Sequence, residues 1–173
     1  KKMRPEFVSF LAYDLEQLGK ETIPIEIPEY KEVFGTQSKT FLEWVSSRIK
    51  YFASGNKRKN VAADYAKRGI FFIRKSKSVL FANTTFENQS VFRRNTILHE
   101  AYHFEKNFHD KCESPSHIKT EIKGDNECDA GLASAYGAGF LYSILPHNIE
   151  EMTYIYWGSI TLTALAIGRD RIL

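Results

Sequence analysis

Cysteine is nearly absent: Cys112 and Cys128 are the only two in 173 residues, too few for the disulfide framework of a small secreted domain. If the two paired, they would staple the loop they bracket. Proline numbers five and glycine ten, which excludes a collagen-like or Pro/Gly-rich disordered chain. Long apolar runs are missing as well. A membrane-spanning helix needs about 18 or more consecutive apolar residues. The nearest run, Tyr154 to Gly168, is shorter and is broken by Ser159, Thr161 and Thr163. We therefore expect no membrane partner. No internal repeat or low-complexity tract is visible. The chain opens Lys1-Lys2-Met3 with no signal peptide in view, and a cytoplasmic protein is expected. Two glycosylation triplets, at Asn83 and Asn88, leave secretion open.

What is present suits one core. Hydrophobic residues make up 43% of the chain and aromatics 14%, including 13 Phe and 9 Tyr. The net charge of +3 conceals a split. Arg48 to Lys77 holds ten basic residues against Asp64 alone, or +9, whereas Glu100 to Glu151 holds ten acids against four lysines, or −6. Two solvated faces explain such a division. So would a basic surface that recruits nucleic acid or an acidic partner.

Apolar spacing predicts a helix from Pro5 to Gly19, carrying Phe7, Leu11, Leu15 and Leu18 on one face. Residues 22–30, with Pro24 and Pro28, read as an extended edge segment. A helix capped by Ser38 is expected to run to about Ser54-Gly55, with Phe41, Val45, Ile49 and Phe52 as its stripe. A short helix is expected from Val61 to Lys67. Ile70–Arg74 and Ser78–Asn83 read as a hairpin. Helical spacing returns from about Ser90 to Asn107, followed by a polar loop from His109 to Asp125. Asp125 or Asn126 would then cap a helix reaching Leu145, stopped by Pro146, with two last helices near 148–157 and 160–171. The expected fold is α+β and mostly helical, with a small sheet before the helix of residues 90–107. Residues 1–69 are read as an N-terminal helical and extended region packing on a core of residues 70–173.

The chemistry is concentrated at His99-Glu100-Ala101-Tyr102-His103. In this H-E-x-x-H pattern two imidazoles four residues apart share a helical face and can reach one cation, zinc by preference. Glu100, one position on, can take a proton from metal-bound water, whose pKa zinc lowers to about 7. Two surface histidines on a polar helix face are the plain alternative.

Hydrolytic zinc sites use three protein ligands and an open position. Glu127, 24 residues beyond His103, leads as the third ligand, with Asp129 behind it on another face of the expected helix. His109 is the rival, because His99 to His109 spells H-E-x-x-H-x-x-x-x-x-H. That spacing looks like the metzincin signature, although Lys106 stands where metzincins carry glycine, and Met152-Thr153-Tyr154 would have to serve as the methionine turn.

Several other side chains qualify for supporting roles. Tyr102, Tyr136, Tyr142, His117 and His147 could stabilise a developing oxyanion, although core packing or surface exposure explains each of them equally simply. Cys128 could serve as a soft ligand. Lys57-Arg58-Lys59, next to Tyr51 and Phe52, could suit single-stranded nucleic acid.

From about Ile70 onward the chain resembles the ImmA/IrrE family of zinc metallopeptidases. The run Ser78-Val79-Leu80-Phe81-Ala82-Asn83 is similar to the strand ahead of that family's metal helix. Arg94-Asn95-Thr96-Ile97-Leu98-His99-Glu100 is similar to its approach to the motif, and Glu127-Cys128-Asp129-Ala130 and Ile144-Leu145-Pro146 to later segments. The resemblance implies a gluzincin-type zinc peptidase with His99, His103 and Glu127 as ligands and Glu100 as the base. It further implies a protein substrate such as a helix-turn-helix repressor. Two other functions compete with it: a non-catalytic zinc module binding nucleic acid through segment 48–77, and a metzincin-like effector protease using His109.

Overall fold

The computed structural model describes residues 3–56, 63–66, 78–82, 86, 89–105, 109–111 and 127–151. Helix α1 (Pro5–Lys20) starts on a proline, whose fixed φ suits a first turn, and buries Phe7, Leu11, Asp14 and Leu18. Its spacing is the one the apolar pattern predicts. The segment after it is less extended than expected. Thr22 bridges Thr40, but Pro28 opens helix α2 (Pro28–Phe34), which Gly35 ends at φ +70°. A proline that reads as a breaker serves here as a helix start.

Helix α3 (Phe41–Arg48) is capped by Thr40 rather than Ser38: the Thr40 hydroxyl accepts the Glu43 N–H at 3.2 Å, while the Glu43 carboxylate accepts the Lys39 N–H at 2.7 Å. The helix is also shorter than its stripe suggests. Ile49 is already extended, and Tyr51–Asn56 forms strand β1. Phe52 still faces inward, stacked on Phe81 at 5.9 Å, because an alternating strand can bury the position that a helix would have buried.

The expected helix at residues 61–67 is replaced by strand β2 (Ala63–Ala66). Strand β3 (Ser78–Ala82) lies in the centre of a three-stranded sheet, parallel to β1 and antiparallel to β2. In this sheet the strand that runs antiparallel to β3 is β2; residues 70–74, expected as the other arm of a hairpin, lie outside the described residues. The sheet thus joins strands from both sides of position 69.

Helix α4 (Ser90–Tyr102) carries the H-E-x-x-H motif, and Ile97 and Leu98 on it are fully buried. Two-residue strands β4 (Asp110–Lys111) and β5 (Glu127–Cys128) pair antiparallel. The expected helix beginning at Asp125 or Asn126 is therefore corrected: Glu127 sits in a strand. Helix α5 (Ala135–Ser143) starts later, at Ser134, whose hydroxyl accepts the Gly137 N–H at 2.9 Å. Every residue of α5 is buried, as expected of a helix apolar all round. Pro146 does not merely stop a helix; it opens α6 (Pro146–Glu151). The expected helices beyond residue 151 lie outside the described residues.

One buried cluster runs from Phe7 to Leu145 and unites α1, α3, β3, α4 and α5. Helix α5 lies close against α4. A Cβ on Gly139 would come within 2.6 Å of the Asn95 side chain, which donates to the Gly139 carbonyl at 2.7 Å. The described part is helical with a small mixed sheet, an α+β arrangement. None of its helices is long and apolar enough to cross a membrane.

Candidate metal centre

The last turn of α4 supplies two of the expected ligands. His103 is the C-cap but keeps right-handed helical backbone angles, so the i, i+4 relationship to His99 survives. The two Nε2 atoms converge to 3.2 Å. Glu100, between them in sequence, is 5% exposed.

The third member of the group is His109. Its ring centroid lies 5.0 Å from that of His99 and 4.6 Å from that of His103. One ligand atom from each of His99, His103 and His109 falls within 4.8 Å of the others. Glu127 has its backbone in β5, opposite Lys111, and its side chain lies outside the described residues. The described site therefore consists of three histidines.

Asp129 contacts the third histidine of the group. His109 donates from Nδ1 to the fully buried Asp129 carboxylate, at 3.2 Å to Oδ2. An ionised carboxylate can only accept, so this contact selects the Nδ1–H tautomer and leaves Nε2 with its lone pair for a cation. The Tyr136 N–H also donates to Asp129 Oδ2, at 3.0 Å, and ties the start of α5 to the site. The Tyr136 ring stacks on His109 at 4.3 Å and meets the His99 ring at 4.7 Å.

Burial, reinforced by the neighbouring His103 and His109, holds the His99 imidazole well below the usual histidine range. A neutral imidazole is the form that binds metal. Three imidazoles suit zinc or a neighbouring transition ion rather than calcium or magnesium, which prefer oxygen. The donor set thus fits the metal expected from the motif.

The other candidates fall elsewhere. Tyr102 stacks on Trp44 at 6.4 Å, and burial raises its hydroxyl pKa. Tyr142 accepts from the buried Arg94 guanidinium, which also reaches Asn148 at 3.1 Å. His147 pairs with Glu21 at 3.2 Å. Cys128 is disulfide-bonded, which removes it as a thiolate ligand. His117, Lys57-Arg58-Lys59 and Met152-Thr153-Tyr154 lie outside the described residues. The partnership of Asp129 with His109 is not legible in the sequence, where residues 127–129 read as the start of a helix rather than as strand β5 and the residue after it. Comparison with protein-family models, curated proteins and solved structures finds no match for this chain, so its function has to be read from the site itself.

Proposed function

We propose that this chain is a zinc-dependent metallopeptidase in which His99, His103 and His109 hold the ion and Glu100 is the general base. The observation that carries the reading is the convergence of the three ligand atoms to within 4.8 Å, at the end of the helix that also presents Glu100. When bound, zinc supplies a Lewis acid and a water whose pKa is lowered to about 7. Glu100, adjacent to His99 and screened from bulk solvent, takes the proton of the attacking water and delivers it to the leaving amine. Asp129 keeps His109 in the ligating tautomer, and the Tyr136 ring covers one side of the site.

The zincin architecture belongs to the same proposal, supported by a motif-bearing helix in the same core as a small mixed sheet. Among the described residues its outer strands are β1 and β2, and strand addition at such an edge would suit an extended peptide, which supports a protein or peptide as the substrate. A regulatory protein would fit the ImmA/IrrE resemblance. His109 in the cluster favours the metzincin-like ligand set over the Glu127 set. No described contact favours the nucleic-acid module.

The test is zinc per chain by mass spectrometry, together with cleavage of an unfolded protein such as casein. We expect one zinc in the parent chain, in Glu127→Ala and in Glu100→Gln, and loss of zinc in His109→Ala. Cleavage should fall by at least about a hundredfold in Glu100→Gln. Loss of zinc in Glu127→Ala alone would restore the gluzincin set. A parent chain that takes up no zinc, or a Glu100→Gln variant that keeps its activity, would end the peptidase reading.

A further inference from the structure

Tyr136 reaches the histidine group through both its ring and its backbone. The ring stacks on His109, with centroids 4.3 Å apart and planes 26° from parallel. The same ring meets His99 at 4.7 Å and 65°, so it bridges a residue of α4 and one that lies in no described helix. The Tyr136 N–H donates to Asp129 Oδ2, the oxygen that lies 3.2 Å from His109 Nδ1. These two holds on His109 are complementary. A hydrogen bond at Nδ1 limits rotation of the imidazole within its own plane, whereas a ring against its face limits the tilt of that plane.

His99 and His103 are set by the last turn of α4, beside the fully buried Ile97 and Leu98. His109 has no such base. It precedes a ladder of two residue pairs, Asp110 with Cys128 and Lys111 with Glu127, and two-stranded ribbons are marginal in water even when longer. Tyr136, by contrast, is the second residue of a fully buried helix whose first turn is capped by Ser134. That helix is tied to α4 by the Asn95 side chain, which donates to the Gly139 carbonyl at 2.7 Å. We propose that Tyr136 is a positioning residue of the metal centre: its ring fixes the plane of the His109 imidazole, so that the third ligand is presented in one orientation. The inference rests on the metal site proposed above and deepens it. The hydroxyl has no part in the stack, so a phenyl ring serves as well. An aliphatic side chain keeps the N–H to Asp129 but offers no flat face, and His109 then retains one hold of two.

The experiment loads the full chain with zinc or cobalt(II). Zinc affinity is measured by competition with a chromogenic chelator, and the visible absorption of bound cobalt reports the geometry of its ligands. We expect Tyr136→Phe to match the parent in both. Tyr136→Leu should weaken zinc binding on the order of tenfold to a hundredfold, the range seen when a ligand loses its support. It should also alter the cobalt spectrum, with helix content by circular dichroism unchanged. In a His109→Ala background the residual zinc affinity should not fall further with Tyr136→Leu, since the ring acts through His109. A Phe variant as impaired as the Leu variant would overturn the inference. So would a Leu variant with the parent's affinity and spectrum, or an equal loss in the His109→Ala background. Should Tyr136→Leu fail to fold, Tyr136→Ile takes its place under the same criteria. A parent chain that takes up neither ion would instead overturn the metal site itself.

Discussion

Asp129 and His109 stand twenty residues apart in the chain and 3.2 Å apart in space, one just after and one just before the strands of the short β4–β5 ladder. The carboxylate also accepts the Tyr136 N–H, so one buried acid contacts His109 and anchors the helix behind it. Asp129→Asn keeps the shape but replaces a charged acceptor with an amide that can present either end. Zinc affinity should fall on the order of tenfold to a hundredfold with little change in secondary structure, checked by chelator competition and circular dichroism. An unchanged affinity would remove Asp129 from the site.

The depressed His99 pKa makes the metal-free fold sensitive to acid. An unfolded chain protonates this histidine near pH 6.5, whereas the folded chain resists until well below that. The unfolded state therefore binds more protons in that window, and stability is lost as pH falls, by about 1.4 kcal/mol per pH unit between the two pKa values. Urea midpoints of metal-free protein at pH 7.5 and 5.5 should differ in that sense. His99→Gln should flatten the dependence.

The approach to α5 is built for hydrogen at position 137. A Cβ there would lie 1.9 Å from the Leu132 carbonyl oxygen, a backbone atom that cannot swing aside. At Gly139 the obstacle is the Asn95 side chain, which can move at the cost of its bonds to the Gly139 carbonyl and the Ser143 hydroxyl. Gly137→Ala should therefore cost about 1–3 kcal/mol or more, and Gly139→Ala less. Chemical denaturation of both variants checks the order.

The helices with clear ends were legible beforehand. Pro5, the Phe7–Leu11–Leu18 spacing and the H-E-x-x-H helix needed only local information. Of the sheet only β3 was legible, as the run Ser78–Asn83, because β1 and β2 owe their form to pairing with it and Phe52 fits a helical stripe as well as a strand face. The same difficulty affected the third member of the histidine group. Glu127 led while residues 127–145 read as one helix, and the β4–β5 pairing that favours His109 is a tertiary contact. The shared helical face of His99 and His103 was thus readable from four residues of spacing, whereas the approach of His109 required the fold.

Asp14 lies in the first helix, yet its carboxylate is buried against the Arg93 guanidinium at 2.6 Å, 79 residues further along, with Ser90 beside it. Phe7 likewise stacks on Phe86 at 4.2 Å. During synthesis α1 must wait for the first turn of α4 to be made before its acid meets Ser90 and Arg93. Such distant pairings slow folding. They also mean that shortening the chain ahead of α2 would take a buried carboxylate away from an arginine on the helix that carries the histidines.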